Sequence, residues 1–239
     1  MESDGDRPVR AARGRVLVTG SNRGIGLELV RQYAQDGYDV VATCRDPDRA
    51  AALHAIAGSA TIRRLDVTSE TDLEELVAQL DGAPIDVLIG NAAVFGGTRA
   101  RLGDIDSSAW RATFDVNVVG TMRVAASLWP NVAASEQRKI VFLSSRAGLP
   151  REATRNRSYI YASSKAALNS AVRCLALDLA ELGVIAALLN PGHVQSGIGG
   201  LKAPMTPAES VRSMRDVIAR LTAADAGKFL HFDGTELKL

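Results

Sequence analysis

Tyr161 and Lys165 stand four residues apart in "YASSKAALNS", with only small side chains between them. On a helix that spacing stacks the phenol and the ammonium on one face, about a turn apart. A free tyrosine titrates near pH ~10 and transfers protons poorly at neutrality. A neighbouring cation stabilises the phenolate and brings the pair toward acid–base chemistry. Such a pair arises often by chance, so the reading needs partners. A buried-looking run, "KIVFLSSRAG", ends in Ser144 and Ser145 and sets a hydroxyl at its tip. A third polar group, Asn117, interrupts an apolar stripe of Trp110, Phe114, Thr121, Val124 and Leu128. A buried amide is costly unless it is hydrogen-bonded, so Asn117 either serves a site or satisfies a kink in its helix.

Elements of two periods must position these groups. Short β-rich runs ("RVLVTG", "DVVATC", "TIRRLDV", "IDVLIGNAA", "KIVFLSS", "VIAALLNP", "KFLHF") alternate with amphipathic stretches such as Leu168, Val172, Leu175 and Leu179. Consecutive apolar residues within the runs suit parallel strands covered on both faces. The expected fold class is α/β: a single-domain doubly wound parallel sheet of about seven strands with helices on both faces. Ligands of such sheets bind at the carboxyl ends of the strands.

The first strand leads through "TGSNRGIG" into a helix. Gly20, Gly24 and Gly26 permit a tight turn and close approach of backbone amides to a phosphate at the helix N-terminus. Strand, glycine turn and helix at the head of an alternating chain point to dinucleotide binding. The second strand ends at Cys44, where an NAD-binding protein would carry a carboxylate for the ribose 2′-hydroxyl. Arg23 and Arg45 flank the place instead and suit a 2′-phosphate, with Asp46 a nearby opposing charge.

The turn, with its Gly-x-x-x-Gly-x-Gly spacing, resembles that of the short-chain dehydrogenase/reductase family, over nearly the whole chain after the tail. "SNRGIGLELVRQYAQDGYDVVATCRDP" with "GKFLHFDG" is most similar to the C-factor and sniffer-type carbonyl reductase branch. The resemblance implies that Gly20, Ser21, Asn22, Arg23, Gly24, Ile25 and Gly26 cradle the cofactor, and that basic Arg23 and Arg45 select NADP(H). It gives Asp66 a hydrogen bond to the adenine amino group with Val67 beside the ring, although Asp66 read alone could equally belong to a helix-start turn. "GNAA" is similar to the family's Asn-Asn-Ala-Gly, with Asn91 and Ala92 matching and Gly90 and Ala93 departing.

The same resemblance assigns Ser145 to the substrate oxygen, Tyr161 to proton transfer, Lys165 to the phenol and the nicotinamide ribose, and Asn117 to a water that passes protons to the lysine. "NPGHVQSG" implies Pro191 and Gly192 beside the nicotinamide, the Val194 backbone on its carboxamide, and Ser196 in place of the usual threonine. His193 reads as a lining residue. The implied activity is NADPH-dependent reduction of an aldehyde or ketone to an alcohol. Two other readings stand: a C-factor-like nucleotide-binding signalling protein without turnover, and a dehydrogenase running toward alcohol oxidation. The family also implies a homodimer or homotetramer.

Composition bounds the rest. The 239 residues carry a formal net charge of +1, so no global field recruits nucleic acid or an anionic membrane. No apolar stretch approaches the roughly 18 residues of a membrane span. Residues 1–13 read as a flexible tail and 14–239 as the cofactor-binding domain, with a Gly/Pro-rich substrate loop near 193–210. Arg151, Arg155 and Arg157 read as a solvated basic loop, or as groups that greet an anionic substrate. Cys44 and Cys174 lack metal spacing and fit a reduced cytoplasmic protein with both thiols buried. His54 and His231 have no ligand-type neighbours, so no metal site is expected.

Overall fold

A computed structural model describes residues 13–56, 60–97, 103–152 and 158–239. The N-terminal tail up to residue 12, together with Arg155 and Arg157, lies outside the described residues. The chain begins with β1 (Arg15–Val18), α1 (Gly24–Gln35), β2 (Asp39–Cys44), α2 (Ala51–His54), β3 (Ala60–Arg64), α3 (Glu70–Leu80) and β4 (Val87–Gly90). After β4 come α4 (Ser107–Phe114), a π-helical segment (Asp115–Gly120), α5 (Thr121–Ala133), β5 (Lys139–Leu143), α6 (Tyr159–Ala180), β6 (Ile185–Asn190), α7 (Pro207–Arg220) and β7 (Phe229–His231).

The strands form one seven-stranded sheet in the order β3-β2-β1-β4-β5-β6-β7, parallel throughout. Each expected run is a strand. Alternate side chains divide between two cores, as the period of two requires. Leu17, Leu88, Ile140 and Leu188 face α3, α5 and α6. Val16, Ile89, Val141 and Leu189 face α1 and α7. Burial on both faces is why the runs carry consecutive apolar residues.

The strand order reverses between β1 and β4, and this switch point opens the crevice in which such sheets hold ligands. Helix starts around it are defined locally. The Ser158 hydroxyl accepts from the Tyr161 N–H at the head of α6, and Thr206 and Glu209 make a reciprocal capping box with Pro207 in the first turn of α7.

Two expectations are corrected. The stripe through Trp110, Phe114 and Asn117 is not one regular helix, because the π-helical turn at Asp115–Gly120 separates α4 from α5. Cys174 is exposed while Cys44 is buried: position 174 lies between the inward turns of Val172 and Ala176, on the outer face of α6. Among the described residues, no helix is long and apolar enough to cross a membrane, and no three His, Cys, Asp or Glu side chains are grouped to hold a metal ion.

Candidate active site

The glycine turn is stapled to the end of β4. The Thr19 hydroxyl accepts from the N–H groups of Asn91 and Ala92, both at 3.0 Å. The Asn91 side-chain amide donates to the carbonyls of Thr19 (2.8 Å) and Gly20 (3.0 Å). Gly20 has φ +65°, and a Cβ there would lie 2.9 Å from the Ala92 Cα. A Cβ on Gly26 would lie 2.5 Å from both the Gly20 oxygen and the Asn91 amide nitrogen. The start of α1 can therefore press onto the turn only as glycine. No side chain caps α1, and its first turn holds no acid, so its unpaired N–H groups and positive dipole end are suited to an anion.

In front of this helix end is a cavity of about 480 Å³, lined in part by Asn22, Arg23, Arg45, Asp66, Val67 and Ala92. Cys44, at the end of β2, is 2% exposed and supplies no carboxylate. Asp46 is paired with Arg49 at 3.8 Å. Asp66 accepts through one oxygen from the Thr68 N–H (2.9 Å) and hydroxyl (2.7 Å), so it makes the helix-start turn while lining the cavity.

A larger cavity of about 700 Å³ adjoins it; Ile25, Asn91, Ala93, Ser196 and Ile198 line both. Ser145, Tyr161 and Lys165 line the larger one. Ser145 follows β5, its hydroxyl accepts from the Ala147 N–H at 3.1 Å, and it lies close enough to Tyr161 to favour the phenolate. Close docking of α6 on the turn after Ser145 depends on Gly148, where a Cβ would meet the Lys165 carbonyl carbon at 2.7 Å.

Burial pushes the Tyr161 phenol up to about 12, against a smaller lowering by Ser145. Burial also pulls the Lys165 ammonium down to about 8. Its Nζ lies 5.9 Å from the centre of the phenol ring and donates to the Leu143 carbonyl at 2.8 Å. The expected lowering of the phenol by its lysine is not found; desolvation of the phenolate sets the direction, against a smaller opposing effect of Ser145.

Asn117 is 1% exposed. Its amide clamps the backbone of Val94, accepting from the N–H at 2.8 Å and donating to the carbonyl at 2.9 Å, and it reaches the Ser164 hydroxyl at 3.0 Å. Ser164 in turn donates to the Tyr161 carbonyl at 2.9 Å. The amide therefore ties the π-turn, the segment after β4 and the first turn of α6 together behind the phenol.

The far wall follows β6. Gly192, at φ +86°, lets the Phe232 ring approach to where a Cβ would stand 3.0 Å away. Val194 pairs with Met205, the Gln195 side chain donates to the Ala203 carbonyl, and the Ser196 hydroxyl accepts from the Gly199 N–H. The segment is hydrogen-bonded to itself, and it ends at Thr206, where α7 begins.

The family model for short chain dehydrogenases matches residues 14–205. The chain belongs to the short-chain dehydrogenase family. It is 39% identical over 154 residues to C-signal of Myxococcus xanthus, an alignment that covers 64% of this chain and 92% of that protein. Among solved structures, it superposes on the carbonyl reductase Sniffer of D. melanogaster with a TM-score of 0.88 at 27% identity, covering 95% of this chain and 99% of that one. An NADPH-bound carbonyl reductase from chicken fatty liver gives a TM-score of 0.87 at 28% identity, covering 96% and 100%.

As a short-chain dehydrogenase the protein is an oxidoreductase, and most of the anticipated residues converge on the two cavities. Pro191, Gly192 and Val194 line the larger one, Gly20, Gly24 and Ala92 the smaller one, and Asn91, Ile25 and Ser196 both. Ser21, Gly26 and Asn117 line neither. Ser21 is fully buried, with its hydroxyl donating to the Val18 carbonyl at 2.7 Å. The departure at Gly90 has a packing reason: a Cβ there would meet Phe142 at 3.2 Å and Thr121 at 3.3 Å. Thr19, Ser164 and Phe95, whose ring lies 5.3 Å from that of Tyr161, were not anticipated. Thr19 directly precedes the first glycine of the turn, a signal available in the sequence.

Proposed function

We propose that this short-chain dehydrogenase is an NADP(H)-dependent carbonyl reductase that converts an aldehyde or ketone to an alcohol. The observation that carries the reading is the convergence of Ser145, Tyr161 and Lys165 on the cavity that adjoins the arginine-flanked one. The residues present fit the cofactor. The uncapped N-terminus of α1 and the side-chain-free turn at Gly20 and Gly24 would hold the diphosphate, Arg23 and Arg45 a 2′-phosphate, and Asp66 and Val67 the adenine. Pro191, Gly192 and the Val194 backbone would hold the nicotinamide end. When bound, the reduced nicotinamide supplies the hydride that adds to the carbonyl carbon.

The chain's own groups supply the rest. Ser145 Oγ orients the carbonyl oxygen and stabilises the charge that develops on it. A phenol raised to about 12 keeps its proton throughout the neutral range, so Tyr161 Oη enters the reaction loaded as an acid. An alkoxide is more basic than a phenolate, so proton transfer from Tyr161 to the nascent alkoxide runs downhill. Lys165, charged below about pH 8, stabilises the phenolate left behind and would hold the nicotinamide ribose, while Asn117 holds α6 and joins the path that reprotonates the pair. Self-association through the outer face of α6, where Leu177 is 74% exposed, belongs to the same reading, and light scattering of Leu177→Glu would detect its loss.

The test is NADPH consumption over a panel of aldehydes and ketones, together with NADPH binding followed by fluorescence. Wild-type turnover that is lost in Tyr161→Phe with binding retained is the expected result. Binding without turnover on any carbonyl would favour the signalling reading, and unchanged turnover in the variant would remove Tyr161 from its role.

A further inference from the structure

His231 ends β7 directly beside Asn190, the last residue of β6, and the parallel register pairs the two. The Asn190 side-chain nitrogen lies 2.7 Å from His231 Nδ1. An amide nitrogen only donates, so Nδ1 accepts and the ring proton of the neutral imidazole resides on Nε2. The ring is further held edge-on to Phe232 at 4.3 Å, and its backbone N–H donates to the Thr235 carbonyl at 2.7 Å. It lines the large cavity together with Tyr161. Position and tautomer are both fixed by neighbours, as a recognition group requires.

Three other polar side chains of this cavity are engaged within the protein. His193 Nε2 is bonded to the Gly199 carbonyl at 2.9 Å, Arg146 to Glu152 at 2.7 Å, and the Ser144 hydroxyl to Asn169. Apart from Ser145 and Tyr161, which take the reacting oxygen, His231 is a lining group whose Nε2 has no hydrogen-bond partner among the described residues and whose donor position is fixed by its neighbours. The same cavity carries the apolar side chains of Phe95, Ile198, Met205 and Phe232. A fixed donor beside apolar side chains discriminates by demanding an acceptor at that point, since a ligand without one leaves the N–H unpaired when water is expelled.

We infer that His231 is a specificity-determining residue, whose Nε2–H selects carbonyl substrates that carry a second hydrogen-bond acceptor beside the reacting carbonyl on an otherwise apolar body. Asn190 is the positioning residue that fixes the tautomer. Asp233 is the ionisable neighbour that interacts electrostatically with the imidazole; its effect bears equally on substrates with and without the second acceptor. The inference rests on the carbonyl-reductase reading above.

The experiment compares kcat/KM for methyl benzoylformate, a keto ester with a second acceptor, with that for benzaldehyde, in wild type, His231→Phe and His231→Gln. The expected result is a keto ester to aldehyde ratio that falls about tenfold in His231→Phe, the size of one hydrogen bond, and that recovers in part in His231→Gln, which restores a neutral N–H donor. Thermal unfolding shows whether each variant is folded, and Asn190→Leu supplies a second route, since losing the tautomer lock should lower the same ratio. A ratio unchanged in all three folded variants overturns the role of His231. Failure of the wild type to reduce either compound overturns the underlying reading and this inference with it, an outcome distinct from turnover with an unaltered ratio.

Discussion

Replacing Lys165 with methionine should make the protein more stable while it removes the proposed activity. The ammonium is 3% exposed, and burial lowers its pKa from 10.5 to about 8. A drop of that size corresponds to about 3 kcal/mol of destabilisation when the charged form is buried at pH 7. Methionine has similar length and no charge. The substitution leaves the Leu143 carbonyl without its 2.8 Å donor, a loss of about 1–2 kcal/mol. The net gain is about 1–2 kcal/mol at pH 7, or a rise in Tm of roughly 4 °C for a chain of this size.

The sign with pH follows from a lysine whose pKa is depressed on folding. The penalty is fully present below about pH 8, and is released as pH rises toward 10.5, because only the unfolded chain still binds the proton there. The advantage of Lys165→Met should therefore shrink by about 2 kcal/mol between pH 7 and pH 9.5 and close or invert by the higher value. Thermal unfolding by circular dichroism at both pH values is the assay. A variant less stable than wild type at pH 7, or a difference that does not move with pH, would refute the reasoning.

Gly26→Ala should cost about 1–3 kcal/mol in urea unfolding and weaken NADPH binding, because its Cβ would lie 2.5 Å from the Gly20 carbonyl and the Asn91 amide; an Ala variant with native stability and affinity would show that the turn can give way. Arg23→Ser with Arg45→Ala should weaken NADPH binding by about 10–100-fold, the loss of one or two charge-assisted hydrogen bonds, and leave NADH binding nearly unchanged. Fluorescence titration with both cofactors measures the difference, and an equal loss for both would assign the arginines to some other part of the ligand.

The strands were legible because burial on both faces writes itself as consecutive apolar residues: Val16 to Val18 and Ile140 to Leu143 can be read without coordinates. Ser145 at the tip of a strand and Tyr161 at the head of a helix were legible separately, and the structure brings both to one cavity. What remained hidden depends on packing at long range. Asn117 stood out as a polar residue in an apolar stripe, but its partners are Val94, 23 positions away, and Ser164, 47 positions away, and the π-turn that aims it has no marked local signature. Desolvation of the half-buried phenol, which reverses the expected direction of its pKa, is a property of the packing around it. The hydrogen bond between Asn190 and His231 spans 41 positions and becomes visible only in the β6–β7 register. Gly90 read as a departure from a motif until the Phe142 ring beside it showed why a side chain does not fit.

The central claim, that Tyr161 protonates an oxygen while hydride arrives at the attached carbon, is tested most directly by isotope transfer. NADPH deuterated at the transferable C4 position is supplied with a carbonyl substrate, and the alcohol is analysed by mass spectrometry in wild type and Tyr161→Phe. The account predicts one deuterium on the carbinol carbon per NADPH consumed, and a rate reduced by about 10²–10⁴-fold in the variant. An alcohol without deuterium, or a phenylalanine variant that delivers it at the wild-type rate, would contradict it.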